Sequence, residues 1–204
     1  MRGRTHLAGA RPGRAAGVAL LLALAGLATT QPGLAQTVAE RMPACLGCHG
    51  AAGTSKLPGV PSLGAMPADY VLVQLYLFRE RQRVVAPMNA MAAGLSDDDL
   101  REMGDKVASL APPVPAGAPL DAAALERVQA LVGKHRCASC HNADFAGHDQ
   151  IPRIAGQREE YLLHSLQGYK DNSRPGYDAT MSEVTQEMKD ADLPLLARYL
   201  AQYR

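Results

Sequence analysis

The sequence predicts an all-α chain made of two copies of one small helical unit joined by a proline-rich linker. Three observations predict this. The chain repeats itself at an offset of 91 to 93 residues, the signature of a duplicated unit. No stretch alternates apolar and polar residues for long enough to be a strand. Four prolines between residues 111 and 119 interrupt any helix and favour extended backbone.

Residues 1–35 stand apart from this plan. Arg2, Arg4, Arg11 and Arg14 precede the apolar run from Ala15 to Ala28, and the small residues Gly33 and Ala35 follow. That is the layout of a secretory signal cleaved after Ala35. The alternative, a retained membrane anchor, asks for roughly 20 apolar residues, more than this run provides. Either reading puts the rest of the chain outside the cytoplasm, and the expected compartment is the periplasm. Without the first 35 residues, 17 Lys+Arg stand against 20 Asp+Glu, a net charge of about −3. No basic patch remains for nucleic acid.

The first unit spans residues 36–110, the linker 111–119 and the second unit 120–204. Cys45-Leu-Gly-Cys48-His49 returns as Cys137-Ala-Ser-Cys140-His141, 92 residues on. Pro61-Ser-Leu-Gly-Ala-Met with Tyr70 returns as Pro152-Arg-Ile-Ala-Gly-Gln with Tyr161, at an offset of 91. Met88 and Met181, Leu95 and Met188, and Leu100 and Leu193 each differ by 93.

Helix signals sit between these landmarks. A helix is expected over Ala68–Arg81, where Val71, Leu75 and Phe78 share a face. Ser96 with Asp99 opens another through Leu100, Met103 and Val107, with an N-cap and an acidic first turn. In the second unit, Asp121 caps a helix to about Val132. A second helix is expected over Arg158–Asp171, and the last starts near Asp190, where Pro194 is tolerated within the first turn. Trp is absent and Phe occurs only twice, so something other than large aromatic side chains fills the centre of each unit.

The four cysteines carry the chemistry. C-x-x-C-H places two thiols one helical turn apart with an imidazole directly after the second, the pattern of covalent heme c attachment. Cys45, Cys48, Cys137 and Cys140 are then thioether attachment points for two hemes, and His49 and His141 are axial iron ligands. Three alternatives compete. A thioredoxin-like dithiol needs a βαβ setting. A zinc site would have to join two pairs separated by most of the chain. Disulfides explain neither the histidines nor the repeat.

The second axial position asks for a methionine or a histidine, or stays open. Met88 lies 39 residues after His49, and Met181 lies 40 after His141. Their nearest rivals are Met91, which aligns with Val184, and Met188, which aligns with Leu95, so neither rival is repeated. A lone methionine is more often core filler; the repetition singles out Met88 and Met181. Thioether ligation raises the potential and closes the iron to substrate, which points to electron transfer. Pro61 and Pro152 are either plain loop residues or offer a carbonyl to the ring N–H of the ligand histidine. His135, His148 and His164 have no counterparts in the first unit and read as surface or packing residues.

With these residues in view, the chain resembles diheme cytochromes of the c4 type, tandem class I cytochrome c domains. The carriers are both C-x-x-C-H motifs, Pro-x-Ile-Ala-Gly-Gln with Tyr161, Met-x-x-Met-x-x-x-Leu-Ser-Asp at 88–97 and the closing Leu-Ala-Arg-Tyr-Leu. The resemblance implies a ligand methionine seven residues before the leucine of the Leu-Ser-Asp turn, hence Met88 and Met181. It also implies hemes facing each other across the domain interface, with the linker strapped outside. Two departures make the first unit the weaker one. Only about nine residues separate the expected cleavage site from Cys45, which truncates its first helix. Lys106 stands where the second unit has Tyr199.

The expected function is a diheme c-type cytochrome passing single electrons between redox proteins: a membrane respiratory complex, a terminal oxidase or reductase, or a dehydrogenase subunit. Contact with a membrane surface fits such a role. The alternative is the electron-accepting cytochrome subunit of a dehydrogenase such as flavocytochrome c sulfide dehydrogenase, built on the same two-domain plan. An enzymatic role as a diheme peroxidase would need an openable iron and extra loops, for which the chain has little length.

Overall fold

The computed structural model describes residues 36–174 and 179–204; the expected secretory segment lies outside the described residues. Ala35–Arg204 form one compact unit. Its described helices are α1 (Val38–His49), α2 (Ala68–Arg79), α3 (Ala86–Ala92), α4 (Asp97–Ala108), α5 (Ala122–Lys134), α6 (Ala138–His141), α7 (Glu159–Lys170), α8 (Thr180–Gln186) and α9 (Leu193–Gln202). Among the described residues the only β pairing is a lone bridge between His148 and Ile151. No described helix is long and apolar enough to cross a membrane.

The helix starts follow the side chains that cap them. Thr37 and Glu40 form a capping box on α1, as Ser96 and Asp99 do on α4. Asp121 accepts from the Ala124 N–H to open α5, and Asp190–Asp192 form a 3-10 turn leading into α9, with Pro194 in its first turn. These boxes satisfy backbone donors that would otherwise lack partners at a helix start. Three expected boundaries move. The helix expected to reach Arg81 stops at Arg79, because Arg81 takes a left-handed φ of 56°. The helix expected over Arg158–Asp171 runs from Glu159 to Lys170, its end residues serving as caps. Asp121's helix continues two residues past Val132, to Lys134. The first helix has seven helical residues before Cys45; its capping box starts it, and it runs on into the motif.

Each half buries its apolar stripe inside a small helical cluster. In the first, α2 packs on α4, and Phe78, Leu100 and Met103 close around Val38 of α1. In the second, α7 packs on α9, and Leu162, Leu193, Leu196 and Leu200 close around Val128 of α5. Leu100 and Leu193 are both 2% exposed, and burial of such a side chain contributes about 1.5–3 kcal/mol.

The repeat extends to the backbone. Left-handed φ values recur in pairs at Gly50 and Asn142, Gly53 and Phe145, Ala65 and Gly156, and Arg81 and Asn172. The Gly53 carbonyl accepts from the N–H groups of Leu63 and Gly64 at 2.7 and 3.0 Å; the Phe145 carbonyl accepts from Ile154 and Ala155 at 2.9 and 3.1 Å.

Residues 111–119 carry no helix and lie against both halves. A Cβ on Gly64 would sit 2.1 Å from the Ala111 carbonyl oxygen, and one on Gly156 2.9 Å from that of Pro113. The Ala116 N–H donates to the Ala201 carbonyl, and Gln202 Nε2 donates to that of Ala118. The segment thus crosses each half at a glycine, where only a missing side chain lets backbone approach backbone.

Candidate heme cradles

α1 carries the first motif at its C-terminal end, so Cys45, Cys48 and His49 all lie on helical backbone. The chain then turns at Gly50, where a Cβ would lie 2.0 Å from the Thr54 carbonyl oxygen. In the second half, α5 ends before the motif, Arg136 takes a left-handed φ of 52°, and α6 carries Cys140 and His141. Here the turn is made by Asn142, whose Nδ2 donates to the Gly147 carbonyl at 3.0 Å. Asn tolerates the left-handed region that Gly occupies in the first half.

Both histidines are buried and face the same partner. His49 Nδ1 lies 2.8 Å from the Pro61 carbonyl oxygen, and His141 Nδ1 lies 2.9 Å from that of Pro152. A carbonyl only accepts, so Nδ1 carries the proton and Nε2 keeps its lone pair free for iron. Burial lowers both imidazole pKa values, against the opposing pull of the proline carbonyls, and favours the neutral ring that a metal requires.

The four cysteines are free thiols, Cys45 and Cys137 half-buried and Cys48 and Cys140 exposed. Burial pushes the Cys45 and Cys137 thiols up. The two pairs do not converge: among the described residues, no three His, Cys, Asp or Glu side chains are placed to hold a metal ion.

Met88 of α3 and Cys45 pack against the same core cluster of the first half, and Met181 of α8 and Cys137 pack against that of the second. Each half therefore brings its repeated methionine to the core that receives its first cysteine. Of the rivals, Met91 is 42% exposed, whereas Met188, 6% exposed, is a buried member of the same core cluster on which Met181 packs. His135 ends α5, His148 pairs with Asp149 on the surface, and His164 is exposed.

Several supporting residues escape notice in the sequence. Asn89, next to Met88, is buried and fully bonded: Oδ1 accepts from the Val85 N–H, and Nδ2 donates to the carbonyls of Phe78 and Arg83. It ties the methionine helix to the end of α2. Arg79 donates to the Leu95 carbonyl and pairs with Asp97; Lys170 donates to the Met188 carbonyl and pairs with Asp190. These two cations are 91 residues apart, so the repeat itself is the signal that could have found them. Gln157 clasps Ser62 of the other half, accepting from its N–H at 2.7 Å and donating to its carbonyl at 2.9 Å. The Tyr70 N–H, at the start of α2, donates to the Asp149 carbonyl across the same junction.

A family profile described as cytochrome c matches residues 125–204. Cytochrome c4 of Pseudomonas aeruginosa is 26% identical over 189 residues, covering 89% of this chain and 94% of that protein. The solved structure of reduced cytochrome c4 from Pseudomonas stutzeri superposes with a TM-score of 0.73 at 25% identity, covering 83% of this chain and 99% of that one. A thiosulfate dehydrogenase electron acceptor of Stutzerimonas stutzeri is 30% identical over 175 residues, 78% of each chain. The chain belongs to the c4-type diheme cytochromes. It is an electron carrier with two covalently bound hemes and His/Met ligation, as the two C-x-x-C-H motifs and the all-helical tandem fold require.

Orphaned polar atoms fit such a group. Arg153 and Arg174 have buried Nε atoms without any hydrogen-bond partner, as does Arg158. Each can serve an acceptor that the protein does not supply, and heme c carries carboxylates.

Proposed function

We propose that Cys45 and Cys48 hold one heme and Cys137 and Cys140 the other, with His49 and Met88 ligating the first iron and His141 and Met181 the second. The observation that carries this reading is the matched pair of Nδ1 contacts to Pro61 and Pro152, which leave one Nε2 free in each half. Bound heme c supplies a one-electron ferric/ferrous couple, its potential raised by a thioether ligand. The chain's own residues fix the ring tautomer, bury the imidazole and hold the methionine helix against the core. Residues 36–110 and 120–204 act as the two carrier domains, joined by 111–119.

The working compartment is the periplasm, reached through a signal in residues 1–35, and the partners are a membrane respiratory complex and a terminal oxidase or reductase. A second reading, electron acceptor of a dehydrogenase, is favoured by the 30% identical relative that serves thiosulfate dehydrogenase. Purified protein should contain two hemes per chain and show two reversible one-electron steps with His/Met spectra. Met88→His and Met181→His should each lower one potential. Should Met91→His or Met188→His do so instead, the assignment is wrong. Copurification with a flavoprotein or multiheme dehydrogenase would favour the second reading.

A further inference from the structure

The junction between the halves holds two cations without an ion-pair partner among the described residues. Arg83 follows α2 and Arg174 follows α7, 91 residues later. Their backbones are held alike: the Arg83 N–H donates to the Leu77 carbonyl at 3.0 Å, and the Arg174 N–H to the Gly168 carbonyl at 2.9 Å. A Cβ on Gly168 would lie 2.8 Å from Cβ of Arg174, so the glycine makes room for the segment that carries the arginine. Each guanidinium lies over an aromatic ring at the repeated position, Arg83 over Phe78 at 4.6 Å and Arg174 over Tyr169 at 5.1 Å.

Their remaining partners are neutral. Arg83, 9% exposed, donates to Gln74 Oε1 at 2.5 Å, and Arg174 Nη2 donates to the Tyr161 hydroxyl at 2.9 Å. Among the described residues neither forms an ion pair, and Arg174 Nε is buried without a partner. The groups facing them are the phenols of Tyr70, Tyr161 and Tyr169. Burial pushes the Tyr161 phenol up, but Arg174 and Arg83 outweigh it and bring it down to about 8. The Tyr70 phenol is pushed up by burial and by its neighbouring phenols. The two arginines come from different halves and act on the same hydroxyl. A buried guanidinium without a counter-charge is costly, and its planar fork matches a carboxylate.

We propose that Arg83 and Arg174, converging on Tyr161, form a carboxylate-binding cluster at the junction that takes propionate groups of both hemes. This rests on the hemes occupying the two cradles assigned above. The cluster is shared, so the charge on either arginine acts on both irons. A cation beside a heme favours the ferrous state, whose iron carries one positive charge fewer. Arg83 and Arg174 are therefore positioning residues that raise the two potentials together.

The test is spectroelectrochemical titration of heme-loaded Arg83→Gln, Arg174→Gln and the corresponding lysine variants. Each glutamine variant should lower both midpoint potentials. A tenfold fall in the reduced-to-oxidised ratio at fixed ambient potential corresponds to about 59 mV for a one-electron couple. The lysine variants should restore most of the shift. A shift at one heme only, at neither, or one that lysine leaves unrestored would overturn the cluster. Heme count and His/Met spectra on the same samples separate this from failure of the ligand assignment. Should the glutamine variants not mature, infrared spectra of wild-type protein with isotope-labelled propionates decide. The carboxylates must stay ionised as the pH falls through the ordinary carboxylate range; protonation there sinks the proposal.

Discussion

The two halves secure the start of their last helix by different means, although the residues concerned are 93 apart. In the first half, Asp99 turns back to its own helix start, accepting from the Ser96 N–H and hydroxyl. In the second, the equivalent Asp192 is buried and pairs with Arg127 of α5. α5 runs thirteen residues and packs on α9, whereas α1 offers only seven helical residues ahead of its motif. Phe145, Tyr199 and Tyr203 meet edge to face in the second half, where the first has Gly53, Lys106 and Leu110. Duplication kept the cradle and let the bracing diverge. At this aspartate position the first half relies on a self-contained cap, the second on a tie between helices.

The junction is unequal in the same sense, and its disruption should have the largest effect. Gln157 supplies the clasp on Ser62, and both are almost fully buried, 3% and 1% exposed. The pseudo-equivalent of Gln157 is Met66, which offers no amide. Gln157→Leu leaves the Ser62 N–H and carbonyl unpaired in the interior, each worth about 1–3 kcal/mol. The expected loss is about 2–5 kcal/mol in thermal or denaturant unfolding of the heme-loaded protein. Met66→Leu, a volume-conserving change, should cost under about 1.5 kcal/mol. Equal losses from the two would show that the clasp carries no special share of the junction.

An intermediate effect is expected from the aromatic brace. Tyr199 contacts Phe145 at 6.3 Å and Tyr203 at 5.6 Å between ring centroids, and such pairs are worth about 0.5–1.5 kcal/mol each. Tyr199→Lys, which copies the first half, should cost about 1–3 kcal/mol by differential scanning calorimetry. The reciprocal Lys106→Tyr should gain little, because Gly53 leaves no ring for it to meet. A stabilised Lys106→Tyr variant would mean that the asymmetry lies in the single residue and not in the cluster.

What was legible in the sequence follows from what repeats. The cysteine motifs, Pro61 and Pro152, and Ser96 with Asp99 are local signals whose physics acts within a few residues. Boundary errors arose where backbone conformation decides: Arg81 ends its helix by a left-handed φ that no side-chain pattern announces. Gln157 stood in a recognised motif, yet its partner lies 95 residues away, and a hydrogen bond at that separation depends on the docking of two folded halves. Asn89 was hidden because its three bonds converge from α2, the segment at Arg83 and the start of α3. The Arg79 and Lys170 caps differ in residue type, so identity matching passes over them although their geometry repeats.

The smallest effect should appear under acid, and it tests the contrast in capping directly. The Asp99 carboxyl is lowered by hydrogen bonds from the Ser96 backbone and side chain, and Glu40 is lowered in the same way by Thr37. A folded-state pKa below the unfolded one contributes stability that is present above the unfolded pKa and lost as pH falls through the folded one. Both helix starts of the first half should therefore loosen as pH drops below the ordinary carboxylate range. In the second half, Asp171, which caps the turn after α7 through Ser173, is lowered in the same manner. Amide hydrogen exchange at low pH should report earlier opening at α1 and α4 than at α5 and α9. Ser96→Ala, worth about 0.5–2 kcal/mol as a lost cap, should flatten the acid response of α4 while leaving α9 unchanged. If α9 opens first, the ties between helices in the second half are weaker than the caps they replaced.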